Sequence, residues 1–268
     1  MVATPIGNLA DLGPRAADTL RNADRILAED TRVTGKLLAH IGAKTPMARY
    51  DDHSSDSDRA AIVARLAEQA VALVSDAGTP LISDPGFKLV RAAREAGHLV
   101  TTVPGPCAAI AGLSIAGLPT DRFLFLGFLP AKAKARADAI AEIANVRATI
   151  VLYEGGPRLG DTLLALASQL GERDAAVARE LTKLHEECVT GTLAELAARY
   201  ADAFPKGEIV IVVGPAREAD PVSDAELDRM LEAAMAELSP SRAAAEVSER
   251  LGVPRKRAYA RALELSRK

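Results

Sequence analysis

The chain has 268 residues, 49% of them hydrophobic and 26% charged, with a formal net charge of −3. That length can bury one large core or two smaller ones, and no apolar run reaches the ~18 residues of a membrane span. Two cysteines in different halves (Cys107, Cys188) and four scattered histidines (His40, His53, His98, His185) offer neither a disulfide framework nor a zinc spacing. With no signal peptide at its start, the chain reads as cytoplasmic, with no metal and no membrane partner.

In chain order, the first half alternates strand and helix. Strands are predicted at 1–4, 25–29, 47–50, 71–75 and 99–103, with helices at 13–22, 31–41, 56–69 and 86–96 between them. This order predicts a parallel, helix-flanked sheet. Thr4-Pro5-Ile6-Gly7-Asn8-Leu9 occupies the place of a dinucleotide fingerprint, with Glu29-Asp30 where a ribose-binding acid would sit. A Rossmann phosphate turn needs G-x-G-x-x-G, however, and only Gly7 is present, so an NAD enzyme is disfavoured.

Glu29-Asp30-Thr31-Arg32 places two acids and an arginine at a strand's carboxyl end. Asp30 or Thr31 suits a helix cap, while Arg32 suits a bidentate phosphate contact. The run at 71–74 leads into Ser75-Asp76-Ala77-Gly78-Thr79-Pro80-Leu81-Ile82-Ser83-Asp84-Pro85-Gly86. A loop so rich in Gly, Pro and Asp, at the edge where open α/β sheets take ligands, reads as a preformed ligand loop.

Pro104-Gly105-Pro106 breaks the chain, 107–116 reads as a helix and Leu118-Pro119-Thr120-Asp121 as a hinge. Strands follow at 123–128, 149–153, 175–180, 186–190 and 208–213, with helices at 132–144, 158–170 and 192–200. The hairpin-like pair at 175–190 predicts a mixed sheet. Tyr153-Glu154-Gly155-Gly156-Pro157-Arg158 and Arg179-Glu180-Leu181-Thr182-Lys183 are polar clusters at strand ends, and Gly207 would permit close ligand approach. His53 reads as a surface or capping residue, and Cys107, lacking a histidine partner, as a small residue opening a helix.

A linker at Asp220-Pro221 leads to helices at 224–237, 241–251 and 254–266 with a helix-turn-helix pattern. Ser239 or Ser241 would cap the second of these. Ala244, Val247 and Leu251 form its inner stripe, Gly252 ends it and Pro254 opens the next. Residues 239–268 carry eight basic against three acidic side chains. Arg255, Lys256, Arg257 and Arg261 are expected to face outward near Tyr259, as RNA or DNA contacts. The expected domains are 1–118, 119–219 and 220–268. The expected class is α/β, with a parallel-sheet domain, a mixed-sheet domain and a basic helical tail.

Five motifs in order (Thr4–Leu9, Glu29–Arg32, Ser75–Pro80, Pro104–Ala108 and Arg179–Lys183) resemble the tetrapyrrole methylases, class III S-adenosylmethionine methyltransferases, in their bacterial ribosomal RNA branch. The resemblance covers essentially the whole chain. It implies S-adenosylmethionine in a cleft between two α/β domains and a homodimer. It also implies methyl transfer to the ribose 2′-hydroxyl of a cytidine in the decoding region of 16S rRNA. Cofactor contact then falls to Pro5, Asp76, Ala77, Gly78, Leu81, Cys107, Ala108, Tyr153, Leu181 and Gly207. Glu29, Asp30, Glu154 and Glu180 are candidate bases, while Arg32, Arg158 and Lys183 could hold RNA phosphate or steady an oxyanion. The tail would anchor rRNA or the small ribosomal subunit through phosphates. Two positions depart from the family pattern: Pro157 and Asp51 stand where relatives often carry histidine. Other readings are a same-fold methyltransferase acting on a tetrapyrrole or protein side chain, and a non-catalytic S-adenosylmethionine sensor that binds nucleic acid.

Overall fold

The first half builds α1 (Pro14–Asn22), β1 (Arg25–Ala28), α2 (Thr31–His40), β2 (Met47–Arg49), α3 (Asp56–Arg65), β3 (Val71–Val74), α4 (Phe87–Glu95) and α5 (Ala108–Ile115). These elements come from a computed structural model that describes residues 1–51, 53–216 and 223–266. Helix starts follow local chemistry. Pro14 opens α1, the Asp30 side chain accepts the Arg32 N–H ahead of α2, and Ser55 and Asp58 form a capping box on α3. Helix α3 stops at Arg65, short of the predicted 69, where the Leu66 N–H reaches back to the Val63 carbonyl and tightens the last turn.

Strands β1, β2 and β3 form a parallel sheet in the order β2-β1-β3. Ile26, Ala28, Ala72 and Val74 face one apolar cluster, and Leu27 and Leu73 face another, so both faces are buried and the strands read as unbroken apolar runs. The strands predicted at 1–4 and 99–103 are corrected to single bridges, Val2 with Val103 and Thr4 with Gly78. Val2 N–H still donates to Leu73 O at 2.9 Å and Val103 N–H to Met1 O at 2.8 Å. Pro5 and Pro104, which carry no N–H, keep these ladders from lengthening.

The second half contributes β4 (Phe123–Phe128), α6 (Ala133–Ile143), β5 (Thr149–Gly155), α7 (Leu159–Leu170), β6 (Asp174–Arg179), β7 (Glu187–Thr192), α8 (Leu193–Arg199) and β8 (Glu208–Val213). The sheet order is β4-β5-β8-β6-β7, with β4 and β5 parallel and the other pairs antiparallel, so the sheet is mixed as expected. Along β8, Ile209, Ile211 and Val213 join the cluster under α6, α7 and α8, whereas Val210 and Val212 join the one under α5. Helix α5 lies so close to this strand that a Cβ at Gly112 would stand 2.7 Å from Val210 Cγ1.

The chain divides into two units, Met1–Ala216 and Arg217–Lys268. The second holds α9 (Asp224–Met235), α10 (Pro240–Leu251) and α11 (Arg255–Leu265) around Leu227, Leu231, Ala244, Val247, Val253, Ala258 and Ala262. Gly252 ends α10 in a left-handed conformation with φ 65°. Ser239 sits at the N-cap of α10 without a side-chain cap bond, and Pro240 takes the first helical position. The predicted linker at Asp220-Pro221 and the basic pair Arg267 and Lys268 lie outside the described residues. Among the described residues, no helix is long and apolar enough to cross a membrane.

The expectation that all four basic residues of α11 face outward for nucleic acid is corrected. Arg261 forms a two-pronged pair with Asp228, Nε to Oδ1 at 2.6 Å and the second nitrogen to Oδ2 at 2.8 Å, and Arg257 pairs with Asp224 at 2.8 Å. Asp224 and Asp228 are one turn apart on α9, as Arg257 and Arg261 are on α11, so the two rows meet. Arg255 and Lys256 are exposed on the first turn of α11.

Candidate functional site

The loops after the parallel strands and those of the mixed sheet are tied together before they form a cavity. Thr4 N–H donates to Gly78 O at 2.8 Å and Gly78 N–H returns the bond to Thr4 O at 3.0 Å. Gly78 has φ 81°, a left-handed conformation that a side chain disfavours. Thr79 Oγ1 donates to Pro106 O at 2.9 Å, fixing the loop against the start of α5. From the first loop, Asn8 N–H donates to Thr182 Oγ1 at 3.1 Å, which joins it to the turn between β6 and β7.

These contacts surround a cavity of about 360 Å³ within residues 1–216. Ala77, Gly78 and Thr79 form one wall, and Cys107 and Ala108 at the start of α5 form the next. Glu180, Leu181 and Lys183 lie on the wall from the β6–β7 turn, with 207–210 on the β8 side. Tyr153 and Phe128 supply aromatic surface; the Tyr153 ring stands edge-on to Phe125 at 4.9 Å and tilted to Phe128 at 5.6 Å. The Tyr153 hydroxyl oxygen accepts the Ala109 N–H at 3.0 Å. Burial pushes the Tyr153 phenol above its ordinary range, so it stays protonated.

Backbone strain concentrates here. Among the described residues, the non-glycine residues with positive φ are Leu81 and Ser83 on one loop and Glu180 and Thr182 on the other. Left-handed non-glycine residues persist where surrounding contacts over-determine them, commonly at functional sites.

The cavity is acidic. Asp84, Glu180 and Glu208 line it against Lys183, whose Nζ lies 2.9 Å from Glu180 Oε1. Burial pushes the Asp84 carboxyl up to about 6, with the charges of Glu29, Glu208 and Asp76 adding to the rise and a hydrogen bond with Ser75 opposing it.

Of the residues expected from sequence, Ala77, Gly78, Cys107, Ala108, Tyr153, Leu181, Gly207, Glu180 and Lys183 share this cavity. The others lie elsewhere. Pro5 and Asp76 line an adjoining groove that shares only Ile6 and Ala77 with the cavity. Leu81 packs on the apolar cluster of Leu27, Tyr50, Leu73 and Leu89, so its side chain serves the core. Glu29, Asp30 and Arg32 are not on the cavity wall. Asp30 is clasped by the Arg32 side chain and also accepts the Arg32 N–H, which together hold its carboxyl far below the usual range and make it a poor base. Glu154 is fully buried and accepts from the Gly155 N–H at 2.8 Å, Arg158 Nε at 2.7 Å and Thr162 Oγ1 at 2.6 Å. It is a structural anchor that also engages Arg158, which donates to the Leu129 carbonyl as well. The cavity further includes Ser83, Asp84, Phe128 and Glu208, which the sequence reading did not single out. Asp84 stands within the loop that its composition marks as a candidate ligand loop; its place beside Pro85 and Gly86 gives it the look of a turn residue.

The family model described as Tetrapyrrole (Corrin/Porphyrin) Methylases matches residues 1–197. The chain belongs to the tetrapyrrole methylases. A second model, the RsmI C-terminal HTH domain, matches residues 221–266. The chain is 56% identical to Ribosomal RNA small subunit methyltransferase I of Erythrobacter litoralis, across 99% of this chain and 94% of that protein. It is 46% identical to the protein of that name from Escherichia coli O157:H7, across 98% and 94%. Among solved structures, diphthine synthase is similar with a TM-score of 0.62 at 14% identity, covering 80% of this chain and 90% of that one. Uroporphyrin-III-C-methyltransferase from Thermus thermophilus is similar with a TM-score of 0.57 at 22% identity, covering 80% and 92%. These distant likenesses bear on the fold; a related Thermus structure, at 19% identity and a TM-score of 0.54, holds S-adenosyl homocysteine.

Proposed function

We propose that this protein transfers the methyl group of S-adenosylmethionine to the ribose 2′-hydroxyl of a cytidine in the decoding region of 16S rRNA. The observation that carries this reading is the 56% identity, over 99% of the chain, to a relative whose name states its substrate as small-subunit ribosomal RNA. The donor, consumed as a substrate, supplies an electrophilic methyl on a positively charged sulfur. The cavity suits it chemically: Glu180 and Glu208 outnumber Lys183 on its wall, and that acidic excess favours a cation. Small side chains at Ala77, Ala108 and Gly207 leave main-chain polar groups accessible, and Tyr153 and Phe128 offer apolar ring surface.

Ala77, Gly78, Cys107, Ala108, Tyr153, Leu181 and Gly207 contact the donor in this reading, within a cleft between domains 1–118 and 119–219. Their task is to align oxygen, methyl carbon and sulfur and to exclude water, because the leaving group is a neutral thioether that needs no acid. Arg255 and Lys256 meet rRNA phosphate on the small subunit. The protein acts as a homodimer, as the family resemblance implies, and works in the cytoplasm.

The test is methyl incorporation from labelled S-adenosylmethionine into small subunits lacking the modification, followed by mapping of the labelled nucleotide. A single 2′-O-methylated cytidine in the decoding region is expected. Label on a base, or none at all, overturns the reading.

A further inference from the structure

Three carboxylates line the cavity: Asp84, Glu180 and Glu208. Glu180 is committed to Lys183 at 2.9 Å, and Glu208 is exposed at the outer end of β8. Asp84 is half-buried, and no salt bridge among the described residues reaches it. Its charged and titratable surroundings are Glu29 beyond β1, Asp76 on its own loop and Glu208 on β8, with Tyr153 on β5. The remaining cation of the wall, Lys183, is paired with Glu180.

The loop that carries Asp84 is fixed from both ends. Leu81, with φ 74°, is seated in the apolar cluster of the parallel sheet. Ser83, with φ 65°, presses on β4, where its Oγ stands 2.8 Å from the position a Cβ would take on Gly127. Pro85 and Gly86 follow at once and hold the exit into α4. Two left-handed residues thus set the direction of the carboxylate between them and the proline.

We propose that Asp84 is the general base for the methyl transfer, accepting the proton of the ribose 2′-hydroxyl. This rests on the reaction proposed above. As the ribose oxygen bonds to the methyl carbon, its proton passes to an Asp84 carboxylate oxygen. The carbon–sulfur bond breaks with its electron pair left on sulfur, giving a neutral thioether, and Asp84 returns the proton to solvent after release. A carboxyl raised to about 6 is deprotonated at neutral pH yet more basic than an ordinary aspartate, which is the poise a base needs there.

The experiment uses the full chain, unmodified small subunits and single-turnover methylation between pH 5 and 8, with S-adenosylmethionine affinity measured by calorimetry. The native rate is expected to fall as pH drops through about 6. Asp84→Asn is expected to lose about 100-fold or more in rate, to bind the donor within about threefold of native, and to lose the acidic limb. Asp84→Glu, which keeps a carboxylate, is expected to recover part of the rate with the limb displaced, a result that a merely structural role does not produce. Asp84→Asn retaining native rate or limb overturns the proposal, as does loss of donor binding, which makes Asp84 a binding residue. If the native chain itself methylates no ribose, the functional reading falls with it; if the native chain methylates and only the Asp84 pattern fails, the reading survives and the base lies elsewhere.

Discussion

Asp76 Oδ1 accepts the backbone N–H of Asp30 at 2.9 Å, so a side chain, rather than the sheet ladder, joins the loops that follow β1 and β3. Asp76 lies outside the cavity lined by Ala77 and Gly78, and this bond gives it an indirect role in shaping the loop that follows β3. Asp76→Ala is expected to weaken S-adenosylmethionine binding by roughly tenfold, the worth of one hydrogen bond to a charged acceptor. Asp76→Asn, whose amide oxygen still accepts, is expected to retain most of the affinity. Calorimetry on the two variants checks this, and equal losses in both would point to direct charge contact with the donor.

Glu154, near the end of β5, has three donors on its carboxylate and no exposed surface. Glu154→Ala strips Arg158 and Thr162 of their shared acceptor and is expected to destabilise the protein by about 3–5 kcal/mol. Urea unfolding measures this. Donor affinity of the remaining folded protein is expected to stay near native, because Glu154 does not line the cavity.

The raised Asp84 carboxyl also has a consequence for stability. Its ordinary value is 3.8 and its folded value about 6, so ionisation opposes folding: the cost is absent below pH 4, grows between pH 4 and 6 and is complete above. Asp84→Asn is therefore expected to be more stable than the native protein at pH 7.5. The gain is of order 1 kcal/mol once solvent screening of this half-exposed group is allowed for, and it vanishes by pH 4. Unfolding at the two pH values decides the matter, and a gain independent of pH would exclude this electrostatic origin.

In the helical unit the basic residues separate into two groups. Arg255→Ala with Lys256→Ala is expected to weaken binding to rRNA and to lower the slope of affinity against salt by about two phosphate contacts. Arg261→Ala is expected instead to destabilise the helical unit, because Asp228 loses its two-pronged partner. Filter binding at several salt concentrations, beside a melting curve, distinguishes the two. A salt slope left unchanged by the Arg255 and Lys256 pair would remove the first turn of α11 from the interface.

Much of this architecture is legible in the residues themselves. Val71–Val74 and Ile209–Val213 are apolar on every position because both sheet faces are covered, and the pairing of β6 with β7 follows from two short runs joined by a polar turn. Ala77, Gly78, Cys107, Ala108 and Leu181, which loop composition and motif order single out in the sequence, come together around one cavity. What stayed hidden depends on partners that only the fold brings together. Arg257 and Arg261 look free until α9 brings Asp224 and Asp228 against them. Glu154 looks like a rim acid until Thr162, eight residues on, closes over it. Asp84 looks like a turn residue until β4 and β8 enclose it, and neither strand is near it in the chain.

The close approach of α5 to β8 has a further consequence. Ala109, whose N–H meets Tyr153, and Ala108, on the cavity wall, belong to the helix whose Gly112 lies almost directly on Val210. The depth of the cavity is thus gauged by a missing methyl group. One added carbon at position 112 would act as a shim, lifting the helix from the strand and reaching the site without altering any residue that lines it.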